Sequence, residues 1–217
     1  MTPVVSVITP AFNATATLER AYRSLHAQTF GDWEYIVVDD GSSDRTAEMV
    51  GEFQDPRVRA VLRTANRGTG AALNAGVQHS AGGYLAFLDA DDEFLPNHLE
   101  AHVAAMEEQP EVDLLWGGVE LVVKDESQAW IPDLDRGHGL IYAGDCVVQG
   151  TLFVRRRVFE VIQYTEDRSI WYQDYDLVRK AEAAAFRLQR FLLKTYRYYR
   201  DSGESQIDRA KAGWLPE

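Results

Sequence analysis

Cysteine is almost absent from this chain of 217 residues, in which Cys146 stands alone. One cysteine excludes a disulfide framework, so a reducing cytoplasm is the expected location. Long apolar runs are missing too: no segment reaches the length that spans a membrane, and no basic and apolar signal segment opens the chain. We therefore expect a cytoplasmic protein whose contact with a membrane, where it occurs, is peripheral.

Basic residues are also scarce, since 22 Lys and Arg oppose 34 Asp and Glu and leave a net charge of -12. Proteins that bind a nucleic-acid polymer need a basic face to meet the phosphate backbone. The charge balance therefore argues against a nucleic-acid polymer as the partner. It remains compatible with one small nucleotide that is held through a cation.

The first half of the chain alternates short apolar runs with helical patterns. The runs that predict strands are residues 4–9, 33–38, 58–62 and 84–88. A helical segment follows each of them. Such alternation predicts βαβ units, and hence an α/β domain with a mainly parallel, Rossmann-like sheet flanked by helices.

A polar loop follows each predicted strand, at residues 10–13, 39–44, 66–70 and 89–92. In parallel sheets the ligand binds beyond the carboxyl ends of the strands. We therefore expect these four loops to converge on one crevice.

Asp89 and Asp91 stand out in the fourth loop. Side chains alternate along a strand, so both carboxylates are expected on one side of the chain, where they repel each other. A divalent cation would relieve that repulsion, and oxygen ligands suit Mg²⁺ or Mn²⁺. The alternative is a solvated acidic turn that ends the strand.

The second half of the chain has a less regular pattern. Residues 114–123 predict one long strand, and residues 124–150 a long loop without periodicity. Further segments are strands at 151–154, 188–193 and 196–199, a helix around 177–185, and a polar tail at 203–217. No linker or repeat interrupts the chain, so we expect a single domain over residues 1–217.

Two sets of ring side chains allow two interpretations. His98 and His102 share the spacing of one helix face and could bind zinc, but no third ligand is evident, so exposure on a helix surface is preferred. Four aromatic residues of the second half could stack on a sugar, although core packing is preferred: Trp130, Tyr142, Trp171 and Tyr172.

Several motifs, in order and spacing, resemble glycosyltransferase family 2. They occupy residues 5–13, 37–44, 66–68, 72–76, 87–92 and 172–177, and each is weak alone. The resemblance implies a GT-A fold, a nucleotide-diphosphate sugar donor with UDP preferred, a divalent metal and inversion at the anomeric carbon. Residues 4–113 would then form a donor half, and residues 114–217 an acceptor half for a saccharide or lipid-linked acceptor.

The resemblance also implies residues that contact the donor: Pro10, Phe12, Asn13, Asp39, Asp40, Arg67, Gly68, Asn74, Asp89 and Ala90. Asp39 is preferred for the base, which leaves Asp40 to cap the turn. Phe12 could instead be a core aromatic residue, and Arg67 a plain surface residue.

Metal and base are implied in the same way. Asp91, with Asp89, is assigned to Mn²⁺ or Mg²⁺, and Asp174 to the base that takes the proton of the acceptor hydroxyl. A helix N-cap is the alternative for Asp174.

Two departures from the family pattern keep a second hypothesis open. Gln173 replaces a common Glu, and Tyr199 stands where many relatives place a metal-binding His. A degenerate domain that binds a sugar nucleotide without turnover is therefore the alternative function. A homodimer is expected from base rates alone.

Overall fold

A computed structural model describes residues 2–135 and 139–200. The helices and strands in chain order are β1 (Val5–Ala11), α1 (Leu18–His26), β2 (Trp33–Asp39), α2 (Thr46–Glu52), β3 (Val58–Leu62), α3 (Thr69–His79), β4 (Tyr84–Phe87), β5 (Glu93–Phe94), α4 (His98–Glu108), β6 (Leu114–Trp116), β7 (Val119–Val122), β8 (Trp130–Pro132), β9 (Leu140–Tyr142), β10 (Phe153–Arg155), α5 (Gln173–Ala183), β11 (Leu188–Arg190) and β12 (Tyr196–Tyr199). The polar tail predicted at 203–217 lies outside the described residues.

A seven-stranded sheet organises the domain, in the order β11-β6-β10-β4-β1-β2-β3. The strands β1 to β4 are parallel, and β11 is parallel to β6, whereas β10 is antiparallel to both of its neighbours. The predicted mainly parallel sheet is therefore confirmed. Six of these seven strands end at the same edge, so their loops share one side of the molecule.

The core lies on both faces of this sheet because its central strands are buried along their length. All seven residues of β2 are buried, and α1 adds Leu18, Ala21 and Leu25. Gly76 lets α3 approach closely, since a Cβ there would lie 2.4 Å from Ile8 Cγ2. Each fully buried Leu or Ile contributes about 1.5–3 kcal/mol, which makes this sheet a rigid base for the loops.

The predicted long strand at residues 114–123 is wrong. Gly117 and Gly118 have φ values of +105° and +78°, and they separate β6 from β7. A side chain at Gly118 would also meet the carbonyl oxygen of Leu193, 2.1 Å from an ideal Cβ. The chain therefore leaves the main sheet and enters a three-stranded sheet in the order β5-β12-β7.

The segment predicted as a loop at residues 124–150 contains an antiparallel hairpin of β8 and β9. Trp130 and Tyr142 are opposite residues in this hairpin, and they are 40% and 39% exposed. Core packing was therefore the wrong interpretation for these two aromatic residues, while Trp171 and Tyr172 are half-buried. Among the described residues, no helix is long and apolar enough to cross a membrane.

Candidate active site

Three carboxylates lie in the turn that follows β4. The amide of Asp92 donates to the carbonyl oxygen of Asp89 at 3.1 Å, so residues 89–92 form a tight turn. The argument from strand alternation was therefore wrong, because these residues have left the strand. The turn nevertheless keeps Asp89 and Asp91 close enough for their charges to interact.

Asp92 is fully buried and anchors this turn. Its carboxylate accepts hydrogen bonds from the Tyr196 hydroxyl at 2.6 Å and from the Tyr199 amide at 2.8 Å. Gly150 leaves room for the Tyr196 ring, since a Cβ there would lie 1.8 Å from Tyr196 Cζ. Neither Asp92 nor Tyr196 was among the predicted site residues, although a third carboxylate in one turn was a usable signal.

The carboxylate of Asp89 is repelled by the carboxylates near it. Burial, and then the charges of Asp91 and Asp174, raise its pKa to about 7. The hydroxyl of Tyr196 lies 3.4 Å from Asp89 Oδ2 and offsets part of that shift. Asp89 is thus a carboxylate whose ionisation a nearby cation would favour.

Asp174 approaches from the first turn of α5. Its Oδ1 accepts a hydrogen bond from the Tyr175 amide at 2.8 Å, and the backbone of Gln149 donates to it as well. Burial outweighs these bonds and raises its pKa to about 6. Tyr172 occupies the N-cap position, so the N-cap alternative for Asp174 was wrong.

Buried side chains line the space around Asp174. The Gln149 side chain donates to the Tyr164 hydroxyl at 2.7 Å, and Tyr164 is itself buried. Burial and the charge of Asp174 raise the pKa of the Cys146 thiol to about 12, so this thiol stays protonated. Gln149 bonds to Asp174, and the next residue, Gly150, packs on the Tyr196 ring whose hydroxyl reaches Asp89, so the two carboxylates approach one region from different elements.

The loop after β1 is tied to the loop after β2 through Asn13. Asn13 has a φ of +51°, its Oδ1 accepts from the Ser43 amide at 2.9 Å, and its own amide donates to Ser42 Oγ at 2.9 Å. Pro10 is half-buried and belongs to β1, which continues to Ala11, so the loop begins two residues later than predicted. Phe12 is 50% exposed, which excludes the core alternative for this ring.

Asp39 and Asp40 are both buried, but they hold different loops. Asp39 accepts a hydrogen bond from the Ser42 amide at 3.0 Å and so caps its own turn. Asp40 accepts from the amides of Arg67 and Gly68 at 3.0 and 2.8 Å. The sequence favoured Asp40 as the residue that caps the turn, whereas the structure shows Asp39 in that position.

The third loop brings Arg67 and Gly68 to the start of α3. Gly68 has a φ of +93°, and the exposed Arg67 guanidinium lies 3.4 Å from Glu166. Deeper in α3, the buried Asn74 donates to Tyr164 O and Glu166 Oε1 at 3.0 and 3.1 Å and accepts from the Tyr164 amide. The Asn74 amide is thus engaged in holding residues 164–166 against α3.

The two departures from the family pattern have local partners. Gln173 donates its side-chain amide to the Ile170 carbonyl. Tyr199 donates its hydroxyl to Glu93 Oε2 at 2.6 Å, and its ring lies 3.8 Å from the Arg20 guanidinium carbon. The phenol that reaches the carboxylates is Tyr196, three residues earlier.

The histidines of α4 are fully buried, so the predicted surface position was wrong. His98 Nδ1 lies 2.9 Å from Thr195 Oγ1, and the His98 ring stacks on Phe94. His102 Nδ1 lies 2.8 Å from the His98 carbonyl oxygen, and burial lowers the pKa of His102 to about 4. Both rings are neutral packing elements beneath β12.

The carboxylates after β4 fit a hard divalent ion. No group of three His, Cys, Asp or Glu side chains within 2–135 and 139–200 forms a complete metal cage. Mg²⁺ and Mn²⁺ are commonly held by one or two carboxylates, with substrate phosphates and water as the other ligands. The repulsion that raises the pKa of Asp89 is what such an ion would relieve.

Comparison with known sequences agrees with this geometry. Residues 6–163 match the model of the family described as Glycosyl transferase family 2. The chain belongs to glycosyl transferase family 2. The resemblance drawn from the motifs is therefore confirmed.

Two curated relatives show how much of a protein the match covers. The first, from Escherichia coli, is named UDP-Glc:alpha-D-GlcNAc-diphosphoundecaprenol beta-1,3-glucosyltransferase WfgD; it is 34% identical over 119 residues, 55% of this chain and 47% of its own length. An uncharacterised glycosyltransferase of Rickettsia prowazekii is 30% identical over 79% of this chain and 58% of its length. The chain thus spans about half the length of these relatives.

Solved structures support the fold. S. aureus TarS in complex with UDP-GlcNAc matches 97% of this chain and 61% of its own, with a TM-score of 0.76 and 23% identity. The mannosyltransferase PcManGT of Pyrobaculum calidifontis, in complex with GDP-Man and Mn²⁺, matches 100% of this chain and 66% of its own, with a TM-score of 0.74 and 19% identity. At these identities the likeness establishes the GT-A type of fold.

Proposed function

We propose that the chain transfers a sugar from a nucleotide-diphosphate donor to an acceptor hydroxyl, with inversion, at the edge of the sheet where the parallel strands end. One observation carries the proposal. Asp174, whose pKa is raised to about 6, faces the region of Asp89 and Asp91 from a separate element. This pairs a base with a cation site across one crevice.

The donor nucleotide occupies the loops of the first half. The exposed Phe12 ring offers a flat surface for the base close to Pro10 at the end of β1, and Asn13 holds the loop that carries Phe12. The polar edge of the base faces the Asp39–Asp40 pair. UDP is the preferred nucleotide, since TarS binds UDP-GlcNAc and WfgD is named for UDP-Glc.

The diphosphate lies between the start of α3 and the turn after β4. Asp91 and Asp89 would hold Mn²⁺ or Mg²⁺, and PcManGT was crystallised with Mn²⁺. The ion supplies positive charge that stabilises the leaving diphosphate. Gly68 and Ala90 let the backbone come close to the donor, and the exposed Arg67 lies within reach of its charge.

Asp174 acts as the base in the acceptor half. The acceptor oxygen bonds to the anomeric carbon while the bond from that carbon to the diphosphate oxygen breaks, and the hydroxyl proton passes to Asp174. A pKa of about 6 keeps most of this carboxylate ionised at neutral pH while retaining basicity. Asn74 serves by positioning residues 164–166 and not as a direct donor ligand.

The acceptor is a saccharide or a lipid-linked saccharide. The name of WfgD describes a diphosphoundecaprenol acceptor, which favours the lipid-linked kind. Residues 114–200 shape this side of the crevice. A cytoplasmic location and a homodimer stay predictions from the sequence.

A panel of UDP- and GDP-sugars with Mn²⁺ tests the proposal through nucleotide release. We expect release from at least one UDP-sugar, its loss in Asp91→Asn, and normal release in the control Asp32→Asn, which changes an exposed carboxylate. Equal release from Asp91→Asn would contradict the proposal. Tight binding without release from any sugar would instead favour the domain that binds without turnover.

A further inference from the structure

Exposed apolar side chains concentrate in one surface of the acceptor half. The large hydrophobic residues exposed within the described ranges are Phe12, Leu62, Trp130, Tyr142, Val161, Leu192 and Leu193. Four of these seven belong to two neighbouring segments, the β8–β9 hairpin and the loop at 191–194. We call Trp130, Tyr142, Leu192, Leu193 and Lys194 the apolar rim.

Contacts join the two segments of the apolar rim. The Trp130 and Tyr142 rings pack edge to face, 6.0 Å apart, and a Cβ at Gly144 would lie 2.5 Å from the Tyr142 ring. Arg190 reaches the same turn, with Nη2 3.2 Å from Asp145 Oδ1 and 3.5 Å from Gly144 O. Leu192 follows two residues after Arg190, so the leucine loop begins next to the strand end that contacts the turn after β9.

The apolar rim lies on the side of the molecule that holds the crevice. The loop 191–194 leaves β11 at its carboxyl end, and β11 runs parallel to β6 and β4. Its edge of the sheet is therefore the edge that carries the turn of Asp89 and Asp91. Because β11 and β3 are the two outermost strands, the loop lies at the end of the sheet far from the nucleotide loops.

The stretch around this loop is basic in sequence, since residues 183–200 contain five Lys and Arg and no Asp or Glu in a chain whose net charge is -12. Arg190 pairs with Asp145, and Arg197 with two glutamates, so Lys194 is the cation on which the proposal depends. Lys194 is exposed directly after Leu193, which is 48% exposed, and Leu192, which is 73% exposed. Leucines flanked by a cation, beside a Trp and a Tyr, match the composition of surfaces that rest in a bilayer interface.

We propose that the apolar rim docks on a lipid bilayer with anionic headgroups, and that it thereby presents the crevice to a membrane-borne acceptor. The leucines enter the interface between headgroups and acyl chains, the Trp130 and Tyr142 rings lie at headgroup level, and Lys194 meets lipid phosphate. The role in acceptor delivery rests on the proposed function; the docking itself does not.

Vesicle flotation tests the docking. The natural chain is mixed with phosphatidylcholine vesicles with and without phosphatidylglycerol, beside Leu192→Ser/Leu193→Ser and the control Leu62→Ser/Val161→Ser, whose leucine and valine are 64% and 66% exposed. We expect the natural chain and the control to float with anionic vesicles, and the rim variant to lose at least tenfold in bound fraction. Trp130→Phe should remove the vesicle-induced blue shift of the Trp fluorescence.

Three results would overturn the proposal: no flotation of the natural chain, equal flotation of the rim variant, or a self-association in solution that the rim variant abolishes. The last would assign the surface to a second copy of the chain. Nucleotide release without acceptor should be equal in the natural chain and the rim variant. A chain that floats with vesicles but releases no nucleotide would support docking through the apolar rim and would contradict the proposed function.

Discussion

The two halves of the molecule build their parts of the crevice in different ways. In residues 4–113 the loops meet because parallel strands end at one edge, with Ala11 beside Asp39 in the register of β1 and β2. Residues 114–200 are instead placed by contacts with residues far away in the chain, such as that of Tyr196 with Asp92 of the donor half. The positions of the donor-side loops therefore follow from the fold, whereas the acceptor side is positioned by contacts of individual side chains.

That difference suggests that the two sides can be disabled separately. Loss of the Asp174 base should stop turnover and leave donor binding intact, whereas a change in the turn after β4, or at the Tyr196 hydroxyl that anchors it, should weaken donor binding as well. Substitutions on either side of the crevice test this separation.

Asp174→Asn should have the largest effect on turnover. An amide cannot take the acceptor proton, so we expect kcat to fall by about 10²- to 10⁴-fold while the donor Kd stays within a factor of two or so. Rates with a saccharide acceptor and donor titrations measure the two quantities. Asp167→Asn, an exposed carboxylate near the same loop, is the control and should retain its rate.

His102→Phe should change the dependence of stability on pH. The pKa of His102 falls from 6.5 to about 4 on folding, so the unfolded chain binds the proton first. The free energy of unfolding is therefore at its full value above pH 6.5. It decreases as the pH falls towards 4, by up to ~3 kcal/mol. Urea unfolding at several pH values should show a free energy of unfolding that depends less steeply on pH in His102→Phe than in the control His79→Phe.

An equally steep pH dependence of the unfolding free energy in these two variants would show that His102 does not titrate as a buried neutral ring.

Tyr196→Phe should loosen the turn after β4. The change leaves the buried Asp92 without its 2.6 Å hydrogen bond, which costs about 1–3 kcal/mol of unfolding free energy. Because the same turn carries Asp89 and Asp91, we also expect a higher Mn²⁺ concentration for half-maximal nucleotide release. Tyr199→Phe, whose hydroxyl binds Glu93, should leave that metal dependence unchanged; a shift of the same size in both variants would contradict the role of Tyr196.

Arg67→Gln should have the smallest effect on stability. The ion pair with Glu166 is exposed on both sides and spans 3.4 Å, so its loss should cost less than about 1 kcal/mol. Thermal unfolding measures this cost. A donor KM that rises severalfold in Arg67→Gln, but not in Glu166→Gln, would place Arg67 at the diphosphate.

The sequence predicted the donor half well because its signals are local. Strand periodicity and terminal Asp residues located β2 within one residue, since residues 33–38 were expected and Trp33–Asp39 is observed. The motifs also identified Asp89, Asp91 and Asp174 as candidates. Periodicity could not show that Gly117 and Gly118 break the strand, because the break lies in their positive φ values and the close approach of Leu193 is a contact distant in sequence.

The error on α4 had a different origin. The buried face of α4 contains His98 and His102 together with Leu99, Val103 and Met106. His98 and His102 continue the spacing that leads to Met106, so the apolar face could have indicated their burial. The polar character of histidine favours the surface, whereas the position of these two residues on the helix indicates burial.

Calorimetric titration with UDP examines whether the Asp89–Asp91 turn holds an ion that in turn holds the donor. We expect binding to the natural chain and to Asp174→Asn in Mn²⁺, its loss in EDTA, and its loss in Asp91→Asn under both conditions. Binding of UDP to Asp91→Asn with the affinity of the natural chain, or binding that Mn²⁺ and EDTA leave unchanged, would contradict this expectation.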